Sequence, residues 1–238
     1  MDRPWEHIDD LEGADISKAV AAYCHVSLAH LMMQDRIYDG LFGDARRIGI
    51  LNEASGPVAK VIQDTLFDAN VLGICRLLDP AKPSRRPSRN LTFALLIDTL
   101  PTSDNRQAYG AELQMLRDRA RSLRDRRDKH LAHTDVDALR NGAQVGWVDP
   151  RGIRAILLRM GDLLARIHQA EFQIHLIVWP PDDHHEIDFL RSLLLGNDAR
   201  KAVRAAFVQR FVDTPPQGAL PQPEDDFPAW LQPRPEPD

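Results

Sequence analysis

The chain has 238 residues, 43% of them hydrophobic and 27% charged, an ordinary globular balance with enough apolar material for a sizeable core. Two cysteines make no disulfide framework, and no apolar run approaches the roughly 20 residues of a membrane span. The net charge of −5 argues against general nucleic-acid binding, but acid collects in the carboxy-terminal tail, which leaves basic stretches elsewhere.

Met1-Asp2-Arg3-Pro4-Trp5-Glu6 shows no basic region followed by an apolar run, so no signal peptide is read and a cytoplasmic protein is expected. Asp15 can cap a helix over about 16–38, with Val20, Tyr23, Cys24, Leu28 and Leu31 inward at spacings of three or four. Gly40 and Gly43 interrupt the pattern, and a second helix covers about 44–55. Gly56-Pro57 breaks or kinks the chain. A third helix runs to Leu78 with Val58, Val61, Ile62, Leu66, Ala69, Leu72 and Leu77 facing inward, and Asp79-Pro80 ends it. Cys24 and Cys75 fall inside apolar periodic segments and read as buried, reduced core thiols.

Residues 80–89 form a basic loop with three prolines and no acid from Lys82 to Arg89. It is either a solvated loop or an electrostatic rim for a polyanion, in which Arg85, Arg86 and Arg89 would touch phosphates. Asn90 is a good N-cap for a helix over 91–100, stopped by Pro101. Asp104 or Asn105 opens a long charged helix expected to end near Thr134-Asp135. Leu113, Leu116, Ala120 and Leu123 give it an apolar stripe, and the ideal helical advance puts Arg127 near the middle of that stripe with His130 beside it. Arg126 and His133 fall on one shoulder. From Arg117 to Lys129 there are six arginines, one lysine and three aspartates. Salt bridges at a helix end account for Arg121, Arg124 and Lys129, but not for a guanidinium on a core-facing stripe. Such a group needs a partner, and a phosphate or a second subunit would supply one.

Residues 135–149 read as a loop. Pro150 opens the clearest helix, with Ile153, Ile156, Leu157, Met160, Leu164 and Ile167 on one face, and Pro180-Pro181 closes that segment. Asp183 and Glu186 read as a capping box for a helix over 184–195, and Asn197 as the cap of a last one to about Phe211. Eight of the 17 prolines lie in 215–238, so an acidic, Pro-rich, disordered tail (214–238) is expected after an all-α domain (1–213), a helical bundle. No nucleophile elbow or Gly-rich phosphate loop is present. His130, His133 and Asp135 are close in sequence, but arginines around them oppose a metal cation, and His184-His185-Glu186 is explained by the helix start; no metal or cofactor is expected.

Arg127-Asp128-Lys129-His130-Leu131-Ala132-His133 resembles the Arg-x(4–6)-His signature of the HEPN superfamily, with Asp directly after the Arg. The closer resemblance is to AbiU-like HEPN domains, named for abortive-infection phage-defence proteins: Leu77-Leu78-Asp79-Pro80 with Asn90-Leu91, and Trp147 ahead of Ile153-Arg154-Ala155-Ile156-Leu157, are similar to segments of that branch. The resemblance implies an HEPN-like helical bundle and a metal-independent endoribonuclease, working as a homodimer whose two Arg/His pairs face each other. His133 would be general base or acid at a ribose 2′-hydroxyl, Arg127 would hold the scissile phosphate, and Asp128 would orient one of them. Arg126, Lys129 and His130 would contact RNA. An ideal helix sets Arg127 and His133 about 120° apart, so the helix unwinds before His133, the cleft is wide, or Arg126 also contributes. The other reading is a non-catalytic HEPN module that dimerises and binds RNA, a nucleotide or a protein partner such as an antitoxin.

Overall fold

The computed structural model describes residues 5–6, 11, 14–82, 89–101, 105–131, 149–178 and 184–213, with the backbone alone for Ala14, His130, Leu131 and 210–213. Among them are seven α-helices and no strand: α1 (Ala14–Phe42), α2 (Ala45–Leu78), α3 (Phe93–Thr99), α4 (Arg106–Arg119), α5 (Arg121–Arg126), α6 (Pro150–Phe172) and α7 (His185–Asp213). A π-helical turn, Arg127–Leu131, continues α5. The all-α expectation holds. The loop at 135–148, Pro180-Pro181, Asp183 and the tail at 214–238 lie outside the described residues.

The core is built where α1, α2, α3, α4 and α6 meet. One-sided apolar stripes do what their spacing says. Ile153, Ile156, Leu157, Met160, Leu164 and Ile167 of α6 are all buried, as are Val20, Cys24, Leu28 and Leu31 of α1. Both cysteines are free and buried, and burial pushes the Cys24 thiol well up and that of Cys75 to about 11, so neither is a thiolate at neutral pH.

Several boundaries move. The segments read as separate helices on either side of Gly56-Pro57 are one long element with a kink, whose non-helical residue is Ser55 (φ −168°, ψ 103°). The inward face read for its second half is wrong in part. Val58, Val61 and Leu72 are exposed, and the buried positions are Ala59, Asn70, Val71, Ile74, Cys75, Leu77 and Leu78. Partners on several sides of α2 dilute any single stripe. Asn90 does not cap α3; its Nδ2 donates to the Pro80 carbonyl (3.1 Å) and its N–H to that of Ala81 (2.8 Å), closing the base of the basic loop. Thr92 caps α3 instead, its Oγ1 accepting from the Leu95 N–H. The long charged helix bends at Ala120, which separates α4 from α5 while the hydrogen-bond ladder continues. Helix α6 ends at Phe172, well before Pro180, because Gln173 turns into the left-handed region (φ 58°). Finally, α7 runs unbroken through Asn197. That side chain is buried and donates from Nδ2 to the Ile50 carbonyl of α2 (3.0 Å) instead of starting a new helix.

Candidate active site

The apolar stripe of the charged helices is buried as expected: Leu113, Leu116, Ala120 and Leu123 are all core residues. Arg127 follows them at helical spacing, and its side chain is 23% exposed. The partner it requires comes from its own chain. Nη1 donates to both carboxylate oxygens of Asp79 at 2.9 Å, and Nε donates to Oδ1 of Asp128 at 2.8 Å. The expectation that such a group needs a partner holds, but the partners are carboxylates of the same chain rather than a phosphate or a second subunit. Burial works against the charge of Arg127, but the bonds to Asp128 and Asp79 outweigh it and hold the guanidinium above its ordinary range.

Asp79 is the C-cap of α2, and the end of that helix is a meeting point for arginines. Nε of Arg117 donates to the Leu78 carbonyl (2.8 Å), Nη2 of Arg117 to the Asp79 carbonyl (3.3 Å), and Nη2 of Arg124 to the Leu78 carbonyl (3.4 Å). Residues 117 and 124 are seven apart, two helical turns on nearly one face, so both reach the same carbonyl. Cations at a helix C-terminus satisfy its orphan carbonyls and complement its dipole. Burial, then the neighbouring Arg124, lowers the pKa of Arg117. Asn90 ties the basic loop to Pro80 and Ala81, the two residues after Asp79, so exposed Arg89 sits at the same end of α2.

Arg126 takes the other direction. Nη2 and Nε donate to Oδ1 of Asp68 (2.9 and 3.3 Å), and its guanidinium lies 5.0 Å from the Phe67 ring centroid. Asp68 and Asp79 are separated by roughly 16 Å of helical rise along α2. Adjacent arginines thus grip α2 at two places, and only Arg127 reaches its end.

The structure brings together Arg127 and Asp128 of the sequence-read set. Lys129 is exposed, and Asp128 is mostly exposed. His133, Arg85 and Arg86, and the side chain of His130, lie outside the described residues. The helix changes from α to π at Arg127, so the ideal 100° advance used to place His130 and His133 does not apply beyond that residue. Asp79 and Asp68 were missed as site residues, Asp79 being read only as a helix stop. The signal for it was its place in the Leu77–Pro80 segment, but its contact with a residue 48 positions away has no periodic signature. Among the described residues no three His, Cys, Asp or Glu side chains gather as metal ligands, and no helix is long and apolar enough to cross a membrane.

An all-α bundle with an Arg-led motif following the buried stripe of a core helix is consistent with an HEPN-type domain. The comparison with protein families identifies the branch. The chain belongs to the HEPN family described as AbiU2, which matches residues 15–188. No curated protein and no solved structure gave a match. The matched span holds all three similar segments, and two of them meet in the structure: Asp79 of one pairs with Arg127 of the other.

Proposed function

We propose that the protein is a metal-independent endoribonuclease of the HEPN type, acting in phage defence by abortive infection or as the toxin of a toxin–antitoxin pair. The observation that carries this reading is Arg127: a half-buried guanidinium at the head of the Arg-x5-His motif, bonded to Asp79 at the end of α2 and to its neighbour Asp128. The working form is a homodimer, in which two such motifs share a cleft. His133 takes the proton of a ribose 2′-hydroxyl, whose oxygen attacks the adjacent phosphorus. The P–O5′ bond breaks, and His133 of the partner subunit protonates the departing oxygen. The products carry a 2′,3′-cyclic phosphate and a 5′-hydroxyl, and DNA, without the 2′-hydroxyl, is resistant. Arg127 stabilises the charge that builds on the phosphate oxygens. Lys129, Arg89 and the basic loop with Arg85 and Arg86 guide the RNA backbone.

Incubation with total RNA in EDTA, followed by end-group analysis, tests the reading. The parent protein should release cyclic-phosphate ends, and Arg127→Ala or His133→Ala should each lower the rate by about a hundredfold or more. Variants that cut as fast as the parent would remove these residues from the mechanism. Because Nε and Nη1 of Arg127 are already occupied by carboxylates of its own chain, a second reading is kept: a non-catalytic module that binds RNA or a protein partner. RNA retention without cleavage by the parent protein would select it.

A further inference from the structure

We infer that Asp79 is a positioning residue that fixes Arg127 for the reaction, an inference that rests on the ribonuclease reading. Two carboxylates hold Arg127, but they are not equivalent. Asp128 is its immediate neighbour and moves with it, so that contact cannot fix the guanidinium relative to the rest of the fold. Asp79 comes from another helix, 48 residues away.

Asp79 is itself anchored through its backbone. Its N–H bonds to the Arg76 carbonyl (3.4 Å), and its carbonyl accepts from Arg117. The preceding Leu78 carbonyl is gripped by Arg117 and Arg124, and the following Pro80 carbonyl by Asn90. Among the described residues its side chain accepts from Arg127 alone. Backbone and side chain therefore have separate duties: the backbone closes α2, and the carboxylate holds Arg127.

The arrangement also decides how Arg127 can meet a phosphate. Asp128 occupies Nε and Asp79 occupies Nη1, two different nitrogens of the planar group. A two-pronged grip through Nε and Nη2 is blocked by Asp128, one through Nη1 would have to share that nitrogen with Asp79, and Nη2 is the nitrogen with no bond among the described residues. A single Nη2 contact gives modest attraction to bound substrate. It gives more when negative charge accumulates on the phosphate oxygens, because the long Arg side chain has been ordered beforehand. Asp79 thus gives up ground-state attraction for orientation, and its removal acts on turnover rather than on substrate binding.

Asp79→Ala and Asp79→Asn, made in the full chain, test this. RNA cleavage in EDTA gives kcat and KM, and the Nε–H signal of Arg127 in a 15N NMR spectrum reports the order of the guanidinium without any activity. Asp79→Ala should lower kcat by about tenfold or more with KM unchanged or reduced, and should broaden or shift the Arg127 signal. Asp79→Asn keeps a hydrogen-bond acceptor and the helix cap, and should fall between Ala and the parent on both readouts. If Asp79→Ala fails to fold, the Asn variant alone decides. A parental kcat in the variants, or an unchanged Arg127 signal, overturns the inference while leaving the ribonuclease reading in place. A parent protein that cuts no RNA overturns the ribonuclease reading, and the NMR signal still decides whether Asp79 holds Arg127.

Discussion

Arg126 and Arg127 are neighbours with the same chemistry, and the structure gives them different tasks. The Arg126 side chain is 31% exposed and its partner Asp68 28%, so solvent screens the pair and keeps its contribution small. The Phe67 ring beneath the guanidinium adds a cation–π contact. Together they are worth about 1 kcal/mol, most of it lost in Arg126→Ala and readable by urea unfolding. Both contacts lie inside the chain, so the same substitution should leave RNA cleavage within about threefold of the parent, against the hundredfold loss expected at Arg127. A cleavage defect in Arg126→Ala as deep as that of Arg127→Ala would show that Arg126 leaves Asp68 to act on RNA.

At the scale of elements, the bond between α2 and α7 follows from one proline. Pro57 has no N–H to offer the Glu53 carbonyl, and the chain kinks at Ser55. The freed carbonyl accepts from Nη2 of Arg200 on α7, the Ala54 carbonyl from Nη1, and Lys201 pairs with the Glu53 carboxylate at 2.7 Å. Asn197, 4% exposed, adds its bond to the Ile50 carbonyl. Asn197→Ala removes a buried donor and leaves that carbonyl short of a partner, a cost of about 1–2 kcal/mol in a denaturant melt with helix content unchanged. A loss of helical signal would restore the expectation of two helices meeting at Asn197. These bonds also mark what the sequence could disclose. The stripes of α1, α4 and α6 were legible because each helix buries one side. Helix α2 was not, since its kink and its several neighbours spread burial around it and leave Val58 and Val61 outside. Asn90 and Asn197 were read as caps because a cap and a staple need the same amide; only the fold decides which carbonyl it finds. Arg127 stood out from its position on a stripe, whereas Asp79 became visible only when the end of α2 met the π turn.

Across the whole molecule, few polar side chains are buried among the described residues, and one of them, His168, ties stability to pH. His168 lies on the buried face of α6, 6% exposed, with its ring against Phe172 (5.5 Å between centroids) and His25 of α1 (6.4 Å). Burial and then the charge of His25 push its pKa below the ordinary 6.5, and the backbone of Ala21 opposes them only in part. The unfolded chain therefore takes up a proton that the folded chain refuses. Stability from this residue is fully present above about pH 6.5 and is lost as pH falls towards the folded value. Asp35 has the opposite sign: burial, ahead of its ion pair with Arg154, raises its carboxyl, so its contribution declines as pH rises past the usual carboxylate range. A comparison of two proteins that both keep Asp35 cancels that contribution. Urea unfolding between pH 7.5 and 5.5 should show the parent losing stability relative to His168→Leu, which keeps an apolar side chain of similar reach, as the pH falls. Parallel curves for the two proteins would mean that His168 is protonated as readily inside the bundle as outside it, and that its burial between α1 and α6 carries no electrostatic cost.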